Sequence, residues 1–521
     1  MNLAVASDES FNLAKQWLEQ CTGNHSSCLA YTQHPLPTRV VDVGTSSESP
    51  RLLVTNEMTA PYVALSYCWG SPQQFVTTRG SLSSMTTAID MANVSRVIAD
   101  AITVVRRLGL RYLWVDALCI VQDDESDKRA EIARMRDIYK NAYCTLIAES
   151  ATDSDDGFLH QRPEPDFPNY RLPFFKSEHI YSEVYLRPEA AYEYKPHELT
   201  INTRAWTLEE RLLSPRKLLY TPKQLRWECQ SGEYQDGGLP RWSTKQSAAF
   251  QYAFYELLDA RRLQETKEFS PSCSLAGLAK LKRFWGLLVE DYTRRECTNP
   301  KDKLRAFGGV AAEFQDIFMD DRYVAGLWRH TLLAELLWTT AGDFPLRPRP
   351  SEYRAPSWSW AAVDSPVIGL GGLLELGLSP PSSYFEIVDC ETQLRSPGAP
   401  FGEVTTGRLV VRGHMRYGKL HYDASVKYDR YTVRSATKRG EHDSPILLLA
   451  SLDALGDDRH VNLCCVWVHE LYGKAIGLLV VPGNDSESYR RIGTFRTSEG
   501  KDDDDVKEWF MESEIRNIVI I

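Results

Sequence analysis

Residues 62–70 read Tyr62-Val63-Ala64-Leu65-Ser66-Tyr67-Cys68-Trp69-Gly70, a short apolar run that stops at a glycine. A run of this length, bounded by a turn residue, is the pattern of a strand buried on both faces of a sheet. Downstream, Val94, Val97, Ile98, Ala101, Ile102, Val105 and Leu108 recur at three- and four-residue steps before Gly109. That spacing predicts an amphipathic helix stopped by its glycine. Tyr112 to Ile120 reads as a second buried strand running into a turn. A second helix carries Ile132, Met135, Ile138 and Tyr139 on one face, and Tyr143 to Ala148 reads as a third strand. The order β-α-β-α-β predicts a parallel sheet with right-handed crossovers.

Outward from this core the patterns weaken. Residues 155–200 are rich in Pro and Tyr and read as a long loop or small excursion. A short helix is expected around Trp206 to Leu213, then strands at Lys217 to Tyr220 and Leu225 to Cys229. Residues 245–345 carry helical patterns, with Leu327, His330, Leu333, Glu335 and Leu337 read as one long helix. Beyond Pro345 alternating runs such as Gly407 to Gly413, Ala475 to Val481 and Ile515 to Ile521 indicate an antiparallel β domain. The expected division is an N-terminal segment 1–61, an α/β domain 62–235, a helical region 236–345 and a β-rich domain 346–521.

Composition narrows the function. With 60 Lys and Arg against 70 Asp and Glu, the net charge is −10, and no dense basic block occurs. Nucleic acid is therefore a poor partner, because its affinity rests on neutralising phosphates. The 13 Trp, 25 Tyr and 18 Phe argue for packed cores over disorder. The 11 Cys are scattered over 521 residues, which reads as reduced thiols in a cytoplasmic protein and not as a disulfide scaffold. The first nine residues lack a basic and an apolar region, so no signal peptide is expected. No apolar run reaches about 18 residues, so no membrane span is expected either. The acidic run Asp502 to Asp505 reads as a solvated loop.

A phosphate-binding P-loop, a nucleophile elbow and a His-Glu-x-x-His zinc motif are all missing. Gly369-Leu370-Gly371-Gly372 reads as a mobile loop. Cys21, His25 and Cys28 have the spacing of three zinc ligands, but a structural site needs four and no fourth lies nearby in the sequence. No metal is therefore expected, and the adjacent Cys464 and Cys465 are read as core or sheet-face residues.

In an open parallel sheet, ligands bind beyond the carboxyl ends of the strands. Those ends hold Ser66, Cys68, Trp69 and Gly70 on the first strand, Asp116, Cys119 and Gln122 on the second, and Glu149 and Ser150 on the third. Asp116 follows an apolar run, and burial there would raise its pKa towards that of a general acid or base. It and Gln122 are read either as functional groups or as side chains that bond loop backbone. Cys119 would attack only as a thiolate, and no His lies near it in sequence to lower its pKa. Arg204-Ala205-Trp206-Thr207-Leu208-Glu209-Glu210 forms a second polar-aromatic cluster. Asn202 or Thr203 is the expected helix cap, and Arg204 with Glu210 is either a structural ion pair or part of a site. The candidate catalytic residues are thus Asp116, Cys119 and Glu210, with Ser66, Trp69, Gly70, Gln122, Arg204 and Trp206 as candidate binding residues.

The blocks Val63 to Gly70, Leu113 to Gln122 and Met135 to Ala142, closed by Arg204 to Glu210 and Leu213 to Arg216, resemble the fungal heterokaryon-incompatibility (HET) domain. Cys21, His25 and Cys28 before Leu36 to Val40, together with Asp302-Lys303-Leu304 and Ala355 to Ala361, are similar to features of long HET proteins. Val121 and Glu209 depart from the pattern, standing where the family usually has Asn and Gln. The resemblance implies a TIR-like or flavodoxin-like parallel-sheet domain acting in non-self recognition and programmed cell death through a protein partner. It also implies a distant likeness to TIR domains, some of which cleave NAD with a glutamate, making NAD a possible substrate and Glu210 the residue to test. Otherwise no cofactor is expected. A HET-like enzyme of secondary metabolism, a cyclase, isomerase or hydrolase on a small molecule, is the alternative.

Overall fold

The structure is a computed structural model. It describes residues 2–25, 28, 34–45, 47–70, 75–164, 170–177, 180–186, 198–236, 275–318, 321–340, 342–375, 384–423, 431–435, 446–485, 487–497 and 503–521. The chain forms two compact units, Met1–Tyr252 and Ala253–Ile521. The helical patterns expected over 245–274 fall outside the described residues.

The first unit opens with α1 (Asp8–Asn24), capped by the Ser7 hydroxyl, which accepts from the Ser10 amide. It then builds β1 (Arg39–Asp42), β2 (Arg51–Val54), β3 (Tyr62–Ser66), α2 (Leu82–Thr87), α3 (Arg96–Arg107), β4 (Tyr112–Trp114) and α4 (Asp116–Cys119). Helices α5 (Glu125–Ala133) and α6 (Met135–Asn141) follow, broken at Arg134 where one helix was expected, and then β5 (Cys144–Ile147). Within the stretch expected as a long loop or small excursion, β6 (Tyr170–Ser177) and β7 (Ile180–Leu186) pair with each other. Helix α7 (Trp206–Leu213), β8 (Arg216–Tyr220), β9 (Leu225–Cys229) and β10 (Gly232–Gln235) complete the unit.

Eight strands make one sheet in the order β10-β9-β8-β5-β3-β4-β1-β2. The inner four, β8, β5, β3 and β4, are parallel. The three strands expected over residues 62–150 are parallel, and the sheet is mixed because β1–β2 and β9–β10 add antiparallel hairpins at its edges. Among the parallel strands the chain moves from β3 out to β4 and then back across to β5. With right-handed crossovers, this reversal puts α3 on one face and α5–α6 on the other. The inner strands are mostly apolar, with Arg216 and Lys217 of β8 as buried exceptions, and Val63, Ala64, Leu113, Trp114, Leu146 and Leu219 are fully buried, as a doubly covered sheet requires.

The second unit begins with α8 (Leu275–Thr293) and α9 (Gly308–Gln315), followed by the hairpin β11 (Tyr323–Val324) and β12 (Leu327–Trp328). The long helix expected over Leu327 to Leu337 is therefore not formed. Ala325 and Gly326 take positive φ and turn the hairpin, and after β12 the span is helical only as a 3₁₀ turn, Arg329–Thr331, running into the one-turn helix α10 (Leu332–Glu335). The Glu335 carboxylate, which a continuous helix would point away, accepts instead from the Trp328 amide at 3.1 Å and the Trp285 indole at 3.2 Å. Strands β13 (Thr339–Thr340) and β14 (Val367–Ile368) pair next, and the expected glycine loop is helix α11 (Leu370–Glu375). Here the glycines serve packing: a Cβ on Gly286 of α8 would lie 2.5 Å from the Gly371 backbone nitrogen, so two bare backbones meet.

Strands β15 (Phe385–Leu394), β16 (Val404–Tyr422), β17 (Tyr431–Ser435), β18 (Leu447–Leu452), β19 (Asn462–Leu471), β20 (Lys474–Pro482), β21 (Ser488–Thr497) and β22 (Ile515–Ile520) form the expected C-terminal β structure. The sheet is antiparallel except where β22 runs parallel to β21. Because β16 pairs with both β17 and β19, the sheet closes on itself. Helix α12 (Asp503–Met511) contributes Val506, Trp509 and Phe510 to the core that holds Cys465, Trp467, Leu479 and Phe495. Of the acidic run expected as a loop, residue 502 lies outside the described residues, and Asp504 and Asp505 fall in the first turn of this helix, where the dipole favours carboxylates.

A buried charge ties the closed sheet to the chain before it. Arg491 of β21 is fully buried between the Asp453 carboxylate (3.0 and 3.2 Å) and the carbonyls of Leu336 and Trp338 (2.6 Å each), and it stacks on the Trp338 ring. Removing Arg491 leaves Asp453 only the more distant Arg349 (3.5 Å) and takes the donor from two buried carbonyls, at a cost of about 3–5 kcal/mol. Arg491→Met is expected to lose that much in denaturant unfolding, and adding Asp453→Leu to recover most of it. A single-variant loss below about 1 kcal/mol would show the pair to be solvated.

Candidate functional site

Strand β3 ends at Ser66, β4 at Trp114 and β5 at Ile147, and strand order reverses between β3 and β5. That reversal leaves a crevice at the carboxyl edge of a doubly wound sheet, the place where such folds bind ligands. Helix α7 covers it. The expected caps Asn202 and Thr203 are not used, since Thr203 bonds back to Thr200 and the helix has no side-chain cap. The Thr207 hydroxyl anchors the first turn instead, donating to the carbonyls of Ile201 (2.6 Å) and Arg204 (2.9 Å). One turn later, Glu210 and Arg211 reach different strands.

Glu210 is 7% exposed and accepts a short hydrogen bond from the Ser66 hydroxyl at the end of β3. The Tyr139 hydroxyl is a second partner. Burial is the main influence on Glu210, the neighbouring Asp116 also raises its pKa, and Ser66, Arg204 and Tyr139 oppose them, so that it stands at about 7 instead of 4.5. Asp116, half-buried at the start of α4, accepts from the Trp69 indole at 2.7 Å and from the Ala117 amide at 2.7 Å. Burial raises its pKa too, against the pull of Trp69, Ala117 and Arg204. Arg204 thus favours the ionised forms of Glu210 and Asp116, and it also hydrogen-bonds the buried Cys68 thiol. Two carboxyls displaced upward, one to neutrality, with a guanidinium nearby, are the components of proton transfer at neutral pH.

Arg211 points to the other strand of the reversal. It donates to Glu149 beyond β5 (2.8 Å) and to Glu228 of β9 (2.6 Å), and the buried Lys217 stands 3.8 Å from Glu228. Burial brings the Lys217 ammonium down to about 8. This network holds α7 against the sheet edge.

The structure therefore brings together Ser66, Trp69, Asp116, Arg204 and Glu210. Gly70 adjoins them with φ at +69°, and a Cβ there would strike the Asp153 carboxylate at 1.8 Å, so only glycine fits. Trp206, half-buried, begins α7. Two candidates serve the backbone. The Gln122 amide donates to the carbonyls of Asp116 (3.1 Å) and Ile120 (3.2 Å), which fixes the loop after α4. Cys119 is fully buried, its thiol accepts from the Val115 amide at 3.4 Å, and burial pushes its pKa up to about 12. A thiol held protonated is no nucleophile. Its carbonyl accepts from Arg39 at 2.7 Å, and Arg39 forks onto Asp127, which also receives the Val121 amide.

Tyr139, Arg211, Lys217 and Glu228 escaped the sequence reading. Tyr139 was read as part of a helix's apolar face. The charged pair was legible in principle: the four residues between β8 and β9 set a register in which Lys217 faces Glu228, two charges inside otherwise apolar strands. A surface cleft lined by Asn2, Glu9, Ser10, Leu13 and Asp236 shares no residue with this cluster.

Residues 62–210 match the family model of the heterokaryon incompatibility protein (HET). This segment is a HET domain. The match begins at the first residue of β3 and ends at Glu210, so it spans the strand reversal and every residue of the polar cluster. Comparisons with curated proteins and with solved structures returned no match. No helix among the described residues is long and apolar enough to cross a membrane. Outside the HET domain, Cys229 of β9 joins Cys21, His25 and Cys28. The expectation of no metal rested on the lack of a fourth ligand in the neighbouring sequence, and the fold supplies one from 204 residues beyond His25.

Ionising a buried Glu210 opposes folding, because the folded state holds the proton up to about pH 7 and the unfolded state only to about 4.5. The group's stabilising contribution is present at low pH and is lost as pH rises through about 7. Between pH 5.5 and 8.5 this amounts to about 2 kcal/mol. Glu210→Gln is expected to fold and to remove that part of the pH dependence in denaturant titrations at the two pH values. An unchanged dependence would place the carboxylate in contact with water.

Proposed function

We propose that this protein is a cytoplasmic effector of fungal heterokaryon incompatibility and that its HET domain acts through a small-molecule site at the strand reversal, with Glu210 as the catalytic carboxyl. The observation that carries this reading is Glu210 itself, buried against Ser66 and poised at about 7 at the carboxyl edge where strand order reverses between β3 and β5. Numbered by their order in the chain, the parallel strands run 2-1-3-4, the arrangement of flavodoxin-like sheets, which supports the TIR-like reading of the domain. The cysteines among the described residues form no disulfide, which suits a reducing cytoplasm.

The substrate that fits this reading best is NAD. Hydrolysis of its nicotinamide–ribose bond consumes water and yields nicotinamide, ADP-ribose and a proton. The bond breaks with positive charge building on the ribose, and an ionised Glu210 beside that carbon would stabilise it. Arg204 would meet the pyrophosphate, and Trp69, oriented by its bond to Asp116, would offer a ring face to a base. Because the working form is the carboxylate, activity rises with pH through about 7.

The same two carboxyls also suit acid–base chemistry on a secondary metabolite, and one experiment separates the readings. Inducible expression of the full chain in a filamentous fungus is expected to stop growth and deplete NAD, with both effects lost in Glu210→Gln. Purified chain is expected to release nicotinamide faster at pH 8 than at pH 6, by roughly tenfold for one group titrating near 7. Healthy growth with an altered metabolite profile would favour the biosynthetic enzyme. Arrest that persists in Glu210→Gln at equal expression would remove the carboxyl from the mechanism.

A further inference from the structure

Cys21 lies in the last turn of α1, His25 caps that helix, Cys28 follows three residues later, and Cys229 ends β9 where the chain turns towards β10. Their ligand atoms, three thiol sulfurs and one imidazole nitrogen, all lie within 4.8 Å of one another. Cys21, Cys28 and Cys229 are buried and none is in a disulfide. All four residues fall outside the segment 62–210 that matches the HET family, so nothing in the domain's chemistry accounts for them.

The distances are those of a metal site. The His25 Nδ1 is 3.6 Å from the Cys28 sulfur and 3.5 Å from the Cys229 sulfur. A tetrahedral zinc with Zn–S of about 2.3 Å and Zn–N of about 2.0–2.1 Å sets nitrogen and sulfur about 3.5 Å apart. The other ring nitrogen is turned outward. The Nε2 lies 3.3 Å from the Tyr234 hydroxyl, and with its proton donated there the Nδ1 lone pair faces the thiols. The Tyr234 ring stacks on His25 and on Trp17 of α1, which restrains the imidazole plane. A partner on the non-ligating nitrogen is the usual outer support of a metal-bound histidine. The Ser231 hydroxyl, 3.2 Å from the Cys28 sulfur, can donate to a thiolate.

A disulfide does not explain the group, since any one bridge leaves a third thiol and an oriented imidazole unused. Packed without a metal, three thiols and a ring nitrogen would be buried with poor mutual hydrogen bonds. We propose that Cys21, His25, Cys28 and Cys229 form a structural zinc site that clips helix α1 to the β9–β10 hairpin. Soft thiolates select zinc over magnesium or calcium. Four protein ligands leave no open position for substrate, so the site serves the fold. Its place in the sheet is informative: β9 pairs with β8, which in turn pairs with β5, and Glu228, next to Cys229, holds Arg211 of α7.

The test is elemental analysis of the full chain, expressed in zinc-supplied medium and purified without chelator. The result expected is about one zinc per chain, released into a chromophoric indicator when a mercurial blocks the thiols, and replaceable by cobalt with the visible bands of a tetrahedral thiolate complex. Cys229→Ser is expected to lose most of the zinc. Tyr234→Phe removes only the outer hydrogen bond, so that chain is expected to fold and to bind zinc about 10–100-fold more weakly in chelator competition. A folded wild-type chain with no stoichiometric metal, a disulfide among these cysteines in mass spectra of unreduced protein, or full zinc occupancy in folded Cys229→Ser would overturn the proposal.

Discussion

Two adjacent side chains of α7 hold the carboxyl edge of the first unit together. Glu210 accepts from Ser66 at the end of β3, and Arg211 donates to Glu149 beyond the end of β5. These are the two strands between which the order of the sheet reverses, so a single helix spans the crevice that reversal opens. The rest of the polar cluster follows from that seat. Asp116 and Trp69 come from the flanking strand ends and bond each other, while Arg204, just ahead of α7, acts on Cys68, Asp116 and Glu210. The match to the HET family ends at Glu210, the residue on which this closure turns.

The energetics of the seat are uneven, and that unevenness has chemical content. Arg211 is shared by two carboxylates and so is well compensated. Glu210 has hydroxyl partners and a nearby guanidinium, but Asp116 repels it and burial outweighs its hydrogen bonds. Desolvation therefore wins, and the proton leaves near neutrality. Burial also raises Asp453, paired with Arg491, and brings Glu335 to about 8 in the second unit, so what sets Glu210 apart is its place at the strand reversal. Strained ionisation of this kind is common where a side chain must gain or lose charge in use.

Much of the fold was legible because burial on both faces of an inner strand forces apolar runs. Tyr62 to Ser66, Cys144 to Ile147 and the α3 spacing announce themselves in that way, as does α7. The site was legible in part for a topological reason: strand ends of a parallel sheet share an edge, so Ser66, Trp69 and Asp116 could be grouped without coordinates. What escaped depended on side chains meeting from distant stretches. Leu327 and Trp328 pair with Val324 and Tyr323 where a helix was expected to start, and Gly286 meets Gly371 where a loop was expected. Cys229 is the sharpest case. Its distance along the chain hid it from any spacing rule, yet the fold places it beside His25 once β9 lies between β8 and the edge strand β10.

The central claim is that Glu210 changes charge at neutral pH because α7 buries it at the strand reversal. Infrared difference spectra of the full chain between pH 5 and 9, with Glu210→Gln as reference, read that protonation directly. The account predicts a protonated-carboxyl band that disappears with a midpoint at about 7 and is absent from the variant. A midpoint in the ordinary glutamate range, about 4.3, would contradict it.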